Sequence, residues 1–124
     1  MTNSERRISR QRAFVTPPGS ARPDWWMVCE VAKRMGFSAG FTYSGAWQIL
    51  REYAALTALD GTRVLDLGAL AALDERSYAQ LAPLQWPQPA GCVPRSERRL
   101  FSDGNFAHAD GRACLIATPY RAPS

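Results

Sequence analysis

Four prolines, Pro83, Pro87, Pro89 and Pro94, fall within residues 83–95. Each fixes its own φ, removes a backbone donor and pushes the residue before it out of the helical region. No regular element is expected to survive that density. The 124-residue chain therefore divides there. Residues 1–82 read as mostly helical, residues 83–98 as a proline-rich linker, and residues 99–124 as a β-hairpin. The expected fold class is α+β: a helical first half, a Pro-rich arm, then a small antiparallel hairpin.

The helices follow from apolar spacing. Trp25, Val28, Cys29, Ala32 and Met35 lie along one face of a helix over 24–35, and that face reads as core. Lys33 and Arg34 complement its C-terminal dipole, and Gly36 is the expected stop. Upstream, Pro17, Pro18 and Gly19 break any helix, so residues 1–23 read as irregular or partly helical. Ser44 reads as the cap of a second helix over 46–58, with Trp47, Leu50, Tyr53, Ala54 and Leu56 as its apolar positions. Asp74 reads as the cap of a short helix over 75–81, ended by Pro83. Leu67, Leu70 and Leu73 suggest a helical turn before it. Asp103-Gly104 and Asp110-Gly111 stand between apolar runs and signal hairpin turns. The last run, 113–117, reads as a strand that needs partners on both faces.

Charge is concentrated at one end. Residues 1–34 hold seven basic and three acidic side chains, whereas residues 35–124 hold eight of each. The whole excess of +4 thus sits in the first segment. There Arg6, Arg7, Arg10 and Arg12 form a dense cluster. Arginine forks match carboxylate and phosphate oxygens two at a time. The same cluster can equally be a solvated face or a set of internal salt-bridge partners. Asp24, between Pro23 and the paired Trp25 and Trp26, has two readings as well. It is placed as a helix N-cap, and its carboxylate can also accept the N–H edge of a purine.

Several function classes are excluded or disfavoured. Cys29, Cys92 and Cys114 form no CxxC pair, so metal-ligand spacing is absent. Each cysteine reads as a small buried apolar residue. His108 is the only histidine and reads as a surface residue. No catalytic constellation and no metal site can be assembled. The polar, arginine-rich start is not a secretory signal, and no apolar run reaches the ~20 residues of a membrane span. The expectation is a cytoplasmic protein without membrane contact.

The runs Thr2-Asn3-Ser4-Glu5-Arg6-Arg7 and Pro18-Gly19-Ser20-Ala21-Arg22-Pro23-Asp24-Trp25-Trp26 resemble the molybdopterin oxidoreductases, the enzymes that carry bis-molybdopterin guanine dinucleotide. The wording from residue 2 to residue 37 is most similar to assimilatory nitrate reductase catalytic subunits. Leu84-Gln85-Trp86-Pro87 resembles a connection in the same family. The resemblance implies an interior segment of a much longer enzyme, and so a partial domain, with no activity alone. It implies a partial site for the molybdenum cofactor, with Asp24 facing a guanine and with Asn3 and Arg6 in the same motif. For Asn3 and Arg6, bracing the cofactor loop is an equal alternative. The implied partners are the remainder of the polypeptide and, in the whole enzyme, an electron donor. A 4Fe-4S cluster belongs to the whole enzyme, and no ligands for it occur here. Trp86 is then expected to pack against a surface outside the chain. A formate dehydrogenase-type segment is the alternative within the family. A stand-alone module binding nucleic acid or protein through the arginine cluster is the alternative outside it, and nucleic acid is the less expected partner.

Overall fold

The computed structural model describes residues 2–60, 64–92 and 99–122. In chain order these form β1 (Arg7–Ile8), α1 (Asp24–Arg34), α2 (Ala46–Thr57), α3 (Glu75–Gln80) and β2 (Leu84–Gln85). Single 3₁₀ turns occur at Ser38–Gly40 and Gly68–Leu70. The architecture is α+β, with three helices and one two-stranded antiparallel sheet among the described residues. Arg7 pairs with Gln85 and Ile8 with Leu84.

The antiparallel pair is not where the turn signals placed it. No strand forms within residues 99–122. Asp103 Oδ1 accepts the Asn105 N–H at 3.1 Å, and Asp110 Oδ1 accepts the Arg112 N–H at 3.0 Å. These carboxylates capture amides a hairpin ladder would need, which makes local Asx turns instead. Phe106 N–H reaches Gly111 O at 2.9 Å, and Phe106 stacks on Phe101 with centroids 4.8 Å apart. Leu115 is 92% exposed, so the 113–117 run has no packing partner among the described residues. The sheet instead joins the irregular N-terminal segment to the proline-rich one. Leu84, Gln85 and Trp86 lie between Pro83 and Pro87 and keep their N–H groups. The Trp86 N–H donates to Arg6 O at 3.0 Å.

α1 begins one residue after its cap. Pro23 takes the cap position with extended geometry, and Asp24 is the first helical residue, with no side-chain cap hydrogen bond. The proline before it is what shifts the boundary: a ring that fixes φ near −60° serves an extended cap and needs no donor. The far end is a Schellman closure. Phe37 N–H bonds Ala32 O at 3.0 Å and Gly36 N–H bonds Lys33 O at 3.1 Å. Gly36 has φ 97°, which only glycine adopts readily. Glu30 pairs with Lys33 and Arg34 along the exposed side. The apolar stripe is only half core: Cys29 and Ala32 are buried, but Val28 is 60% and Met35 68% exposed.

α2 carries the main core. Ala54 is fully buried and lies with Leu67 and Leu70. Ile8, Leu50, Leu73, Leu81, Leu84 and Trp86 close around them. Trp86, expected against a surface outside the chain, thus packs half-buried on the chain's own core. Thr57 stitches the centre: its Oγ1 donates to Ala54 O at 2.7 Å and accepts the Leu67 N–H at 2.9 Å. The Gly68 turn sits so close to the next segment that an added Cβ would lie 3.1 Å from Ala90 N and 3.2 Å from Ala58 Cβ. Gln88, nearly buried, ties that segment down through Asp66 O at 2.7 Å and Ala69 N at 2.9 Å. Gly45, not Ser44, holds the cap position of α2. Ser44 lies one residue outside, where its N–H and hydroxyl both donate to Gln48 Oε1. Cys92 and Cys114 are exposed, and only Cys29 is the buried cysteine expected.

α3 depends on its cap. Asp74 Oδ1 accepts the Ser77 N–H at 2.7 Å, and hydrogen bonding from the Ser77 side chain, then from this N–H, holds the carboxyl below its ordinary pKa. A folded-state value below the unfolded one means stability that is present above the usual carboxylate range. It is lost as pH falls through the lowered value. Asp74→Ala should therefore remove a pH-dependent part of stability, read as urea midpoints that converge with the parent chain in acid. Midpoints that differ equally at neutral and acid pH would count against the cap.

Candidate functional site

Asn3 organises the turn that opens the chain. Its Oδ1 accepts the Glu5 N–H at 3.1 Å and the Arg7 N–H at 2.9 Å. Its backbone N–H bonds Arg7 O at 3.1 Å, while Arg6 N–H bonds Asn3 O at 3.0 Å. Arg6 sits between them at φ 62°, a left-handed position unusual for a residue with a side chain. The Asn3 oxygen is thus used internally, and its NH₂ donors make no hydrogen bond among the described residues.

The arginine cluster turns toward residues 78–86. Arg6 Nη1 donates to Trp86 O at 2.7 Å and its guanidinium lies 5.6 Å from the Trp86 ring centroid. Arg10 Nη1 donates to Ala79 O at 2.7 Å and lies 4.8 Å over the Tyr78 ring. Arg12 Nη2 reaches Leu81 O at 3.3 Å. Ala79 and Leu81 lie at the end of α3, where carbonyls lack helical partners and attract cations. These forks neither form a solvated face nor pair chiefly with carboxylates: Arg6, Arg10 and Arg12 brace backbone carbonyls, a role the sequence did not suggest. Arg7 also lies 3.9 Å from Glu5 across the turn.

Asp24 stands apart. It is exposed at the first turn of α1, and its carboxylate has no hydrogen bond or ion pair among the described residues. The helix N-terminus beside it offers unpaired N–H groups and a positive dipole end. Asn3 and Arg6 share one turn, whereas no hydrogen bond or ion pair joins Asp24 to either. Gln85 and Trp86 were not expected in this neighbourhood. Gln85 Nε2 donates to Glu5 O at 2.8 Å, and Trp86 Nε1 lies 3.4 Å from Thr2 Oγ1. Nothing local in the sequence announces a contact across some eighty positions.

A shallow cavity of about 290 Å³ lies elsewhere, on α2, between Gln48, Arg51, Glu52, Ala55 and Ala71. Its polar groups are largely used. Gln48 holds Ser44, Arg51 Nε donates to Ala71 O at 3.2 Å, and Glu52 accepts the Tyr43 hydroxyl. That last bond raises the Tyr43 pKa above its ordinary value. Among the described residues, no group of three or more His, Cys, Asp or Glu side chains is placed to hold a metal. Nor is any helix there long and apolar enough to cross a membrane.

The turn and Asp24 both fall in a stretch that known proteins share. The molybdopterin oxidoreductase family model matches residues 1–34. A nitrate reductase of Klebsiella oxytoca is 43% identical over 94% of the chain. One of Shewanella frigidimarina is 46% identical, again over 94%. The chain belongs to the molybdopterin oxidoreductase family. A more distant member, the assimilatory nitrate reductase catalytic subunit of Bacillus subtilis, is 32% identical over 99% of the chain. The chain spans 13% of the length of the first two relatives and 16% of the third. No solved structure matches it. Molybdopterin oxidoreductases work through a molybdenum–pterin cofactor.

Proposed function

We propose that this chain supplies part of the pterin guanine dinucleotide site of a nitrate reductase. In the complete enzyme, nitrate is reduced to nitrite in the cytoplasm, with electrons from a donor through a 4Fe-4S cluster whose ligands lie elsewhere. The observation that carries the reading is Asp24: a carboxylate exposed at a helix start, with no partner among the described residues, within the family's shared stretch. It can accept the paired N–H groups on the edge of a guanine, as charge-assisted hydrogen bonds. The unused NH₂ of Asn3 suits an acceptor oxygen on the same ligand. Arg6 fits less well as a direct contact, because Trp86 already takes its guanidinium. Its role is to brace the turn. The bound cofactor supplies the redox chemistry; these residues supply binding and orientation. The chain alone is inactive on this reading.

The test is Asp24→Ala in a complete relative that carries this aspartate. Hydrogen bonds to charged groups contribute about 1.5–3 kcal/mol, so the dinucleotide should be held roughly ten- to a hundredfold more weakly. Molybdenum and released guanine nucleotide per mole of enzyme would both fall. Full occupancy after the exchange would remove Asp24 from the site.

A further inference from the structure

The family match ends at residue 34, but the turn inside it is shaped by residues far beyond that point. We propose that Gln85 and Trp86 are positioning residues for the cofactor-facing turn of residues 2–8. The proposal rests on the reading of Asn3 as a cofactor contact.

Three strong hydrogen bonds cross between the segments. Gln85 Nε2 donates to Glu5 O at 2.8 Å, Trp86 N–H to Arg6 O at 3.0 Å, and Arg6 Nη1 to Trp86 O at 2.7 Å. Trp86 also lies beneath the Arg6 guanidinium and packs on the core. Together they fix Arg6 from both its backbone and its side chain. That matters because Arg6 occupies a left-handed conformation which side chains disfavour, so it persists only where surroundings impose it. With Arg6 so held, the N–H groups of Glu5 and Arg7 converge on Asn3 Oδ1. The amide is then oriented with its oxygen spent and its NH₂ available in one direction. A ligand acceptor meets donors already in place, which is what a precise site needs from the residues around it. Neither Gln85 nor Trp86 has to touch the cofactor.

The experiment uses the full chain labelled with ¹⁵N, with GDP as the probe of the dinucleotide end. In Gln85→Ala, loss of one hydrogen bond should speed exchange of the Glu5 and Arg7 amides by about fivefold, with the buried Ala54 amide unchanged. The shift of the Asn3 NH₂ signal on adding GDP should shrink with it. Trp86→Phe gives up only the long 3.4 Å contact to Thr2, keeps an aromatic face beneath Arg6 and the backbone bonds, and should preserve both readouts. Parent-like exchange at Glu5 and Arg7 in both Gln85→Ala and Trp86→Ala would overturn the proposal. If Trp86→Ala also exposes Ala54, Gln85→Ala alone decides. GDP that leaves Asn3 unmoved in the parent chain, while Gln85→Ala still loosens the turn, would overturn the cofactor reading and uphold the positioning role.

Discussion

Leu67→Ala is expected to abolish the cooperative unfolding transition of the isolated chain. Among the described residues, Leu67 is the one large side chain with no exposed surface, in a cluster that otherwise buries Ala54 and Leu70. Truncating a buried leucine costs about 2–5 kcal/mol, because the lost contacts and the cavity both count. Native domains are stable by only about 5–15 kcal/mol, and a core this small places the chain at the low end. Leu67→Met keeps the volume and should cost less than about 1.5 kcal/mol. Urea titration followed by far-UV circular dichroism separates the cases. A sharp transition in Leu67→Ala, with a midpoint near the parent's, would show that the helices are held by something other than this cluster.

Thr57→Val should destabilise the chain by about 1–3 kcal/mol, the cost of stranding a buried donor. Valine keeps the shape of threonine, so packing barely changes. What disappears is the hydroxyl that receives the Leu67 N–H and donates to Ala54 O. That N–H belongs to a residue with no exposed surface, and its hydrogen bond to Thr57 is buried. Thr57→Ser retains the hydroxyl and should recover most of the loss. The Leu67 amide should also exchange much faster in Thr57→Val. Equal urea midpoints for the valine and serine variants would mean the hydroxyl contributes nothing.

Some of this was legible from residues alone. Spacing from Trp25 to Ala32, followed by Gly36, marks α1 because both signals are local. Asp74 marks α3 for the same reason: a cap acts on amides two and three residues away. The sheet gave no such signal. It is two residues long on each side, and its strands are separated by some eighty positions, so no alternation can accumulate. The Asp-Gly hairpin failed because a carboxylate close to an amide competes with a distant strand and wins. Arg6, Arg10 and Arg12 were visible as a cluster, but their targets are carbonyls, which every residue has. Asp24 is conspicuous in sequence because proline precedes it and two tryptophans follow; that same proline displaced it from the cap.

The pairing of residues 7–8 with residues 84–85 has a bearing on how the protein is made. The Asn3 segment leaves the ribosome some eighty residues ahead of the tryptophan that Arg6 grips. Contacts this distant along the chain form late, since the intervening loop must close before they give any return. During translation the turn of residues 2–8 therefore lacks its bracing at first, and is fixed only after residues 84–86 have emerged.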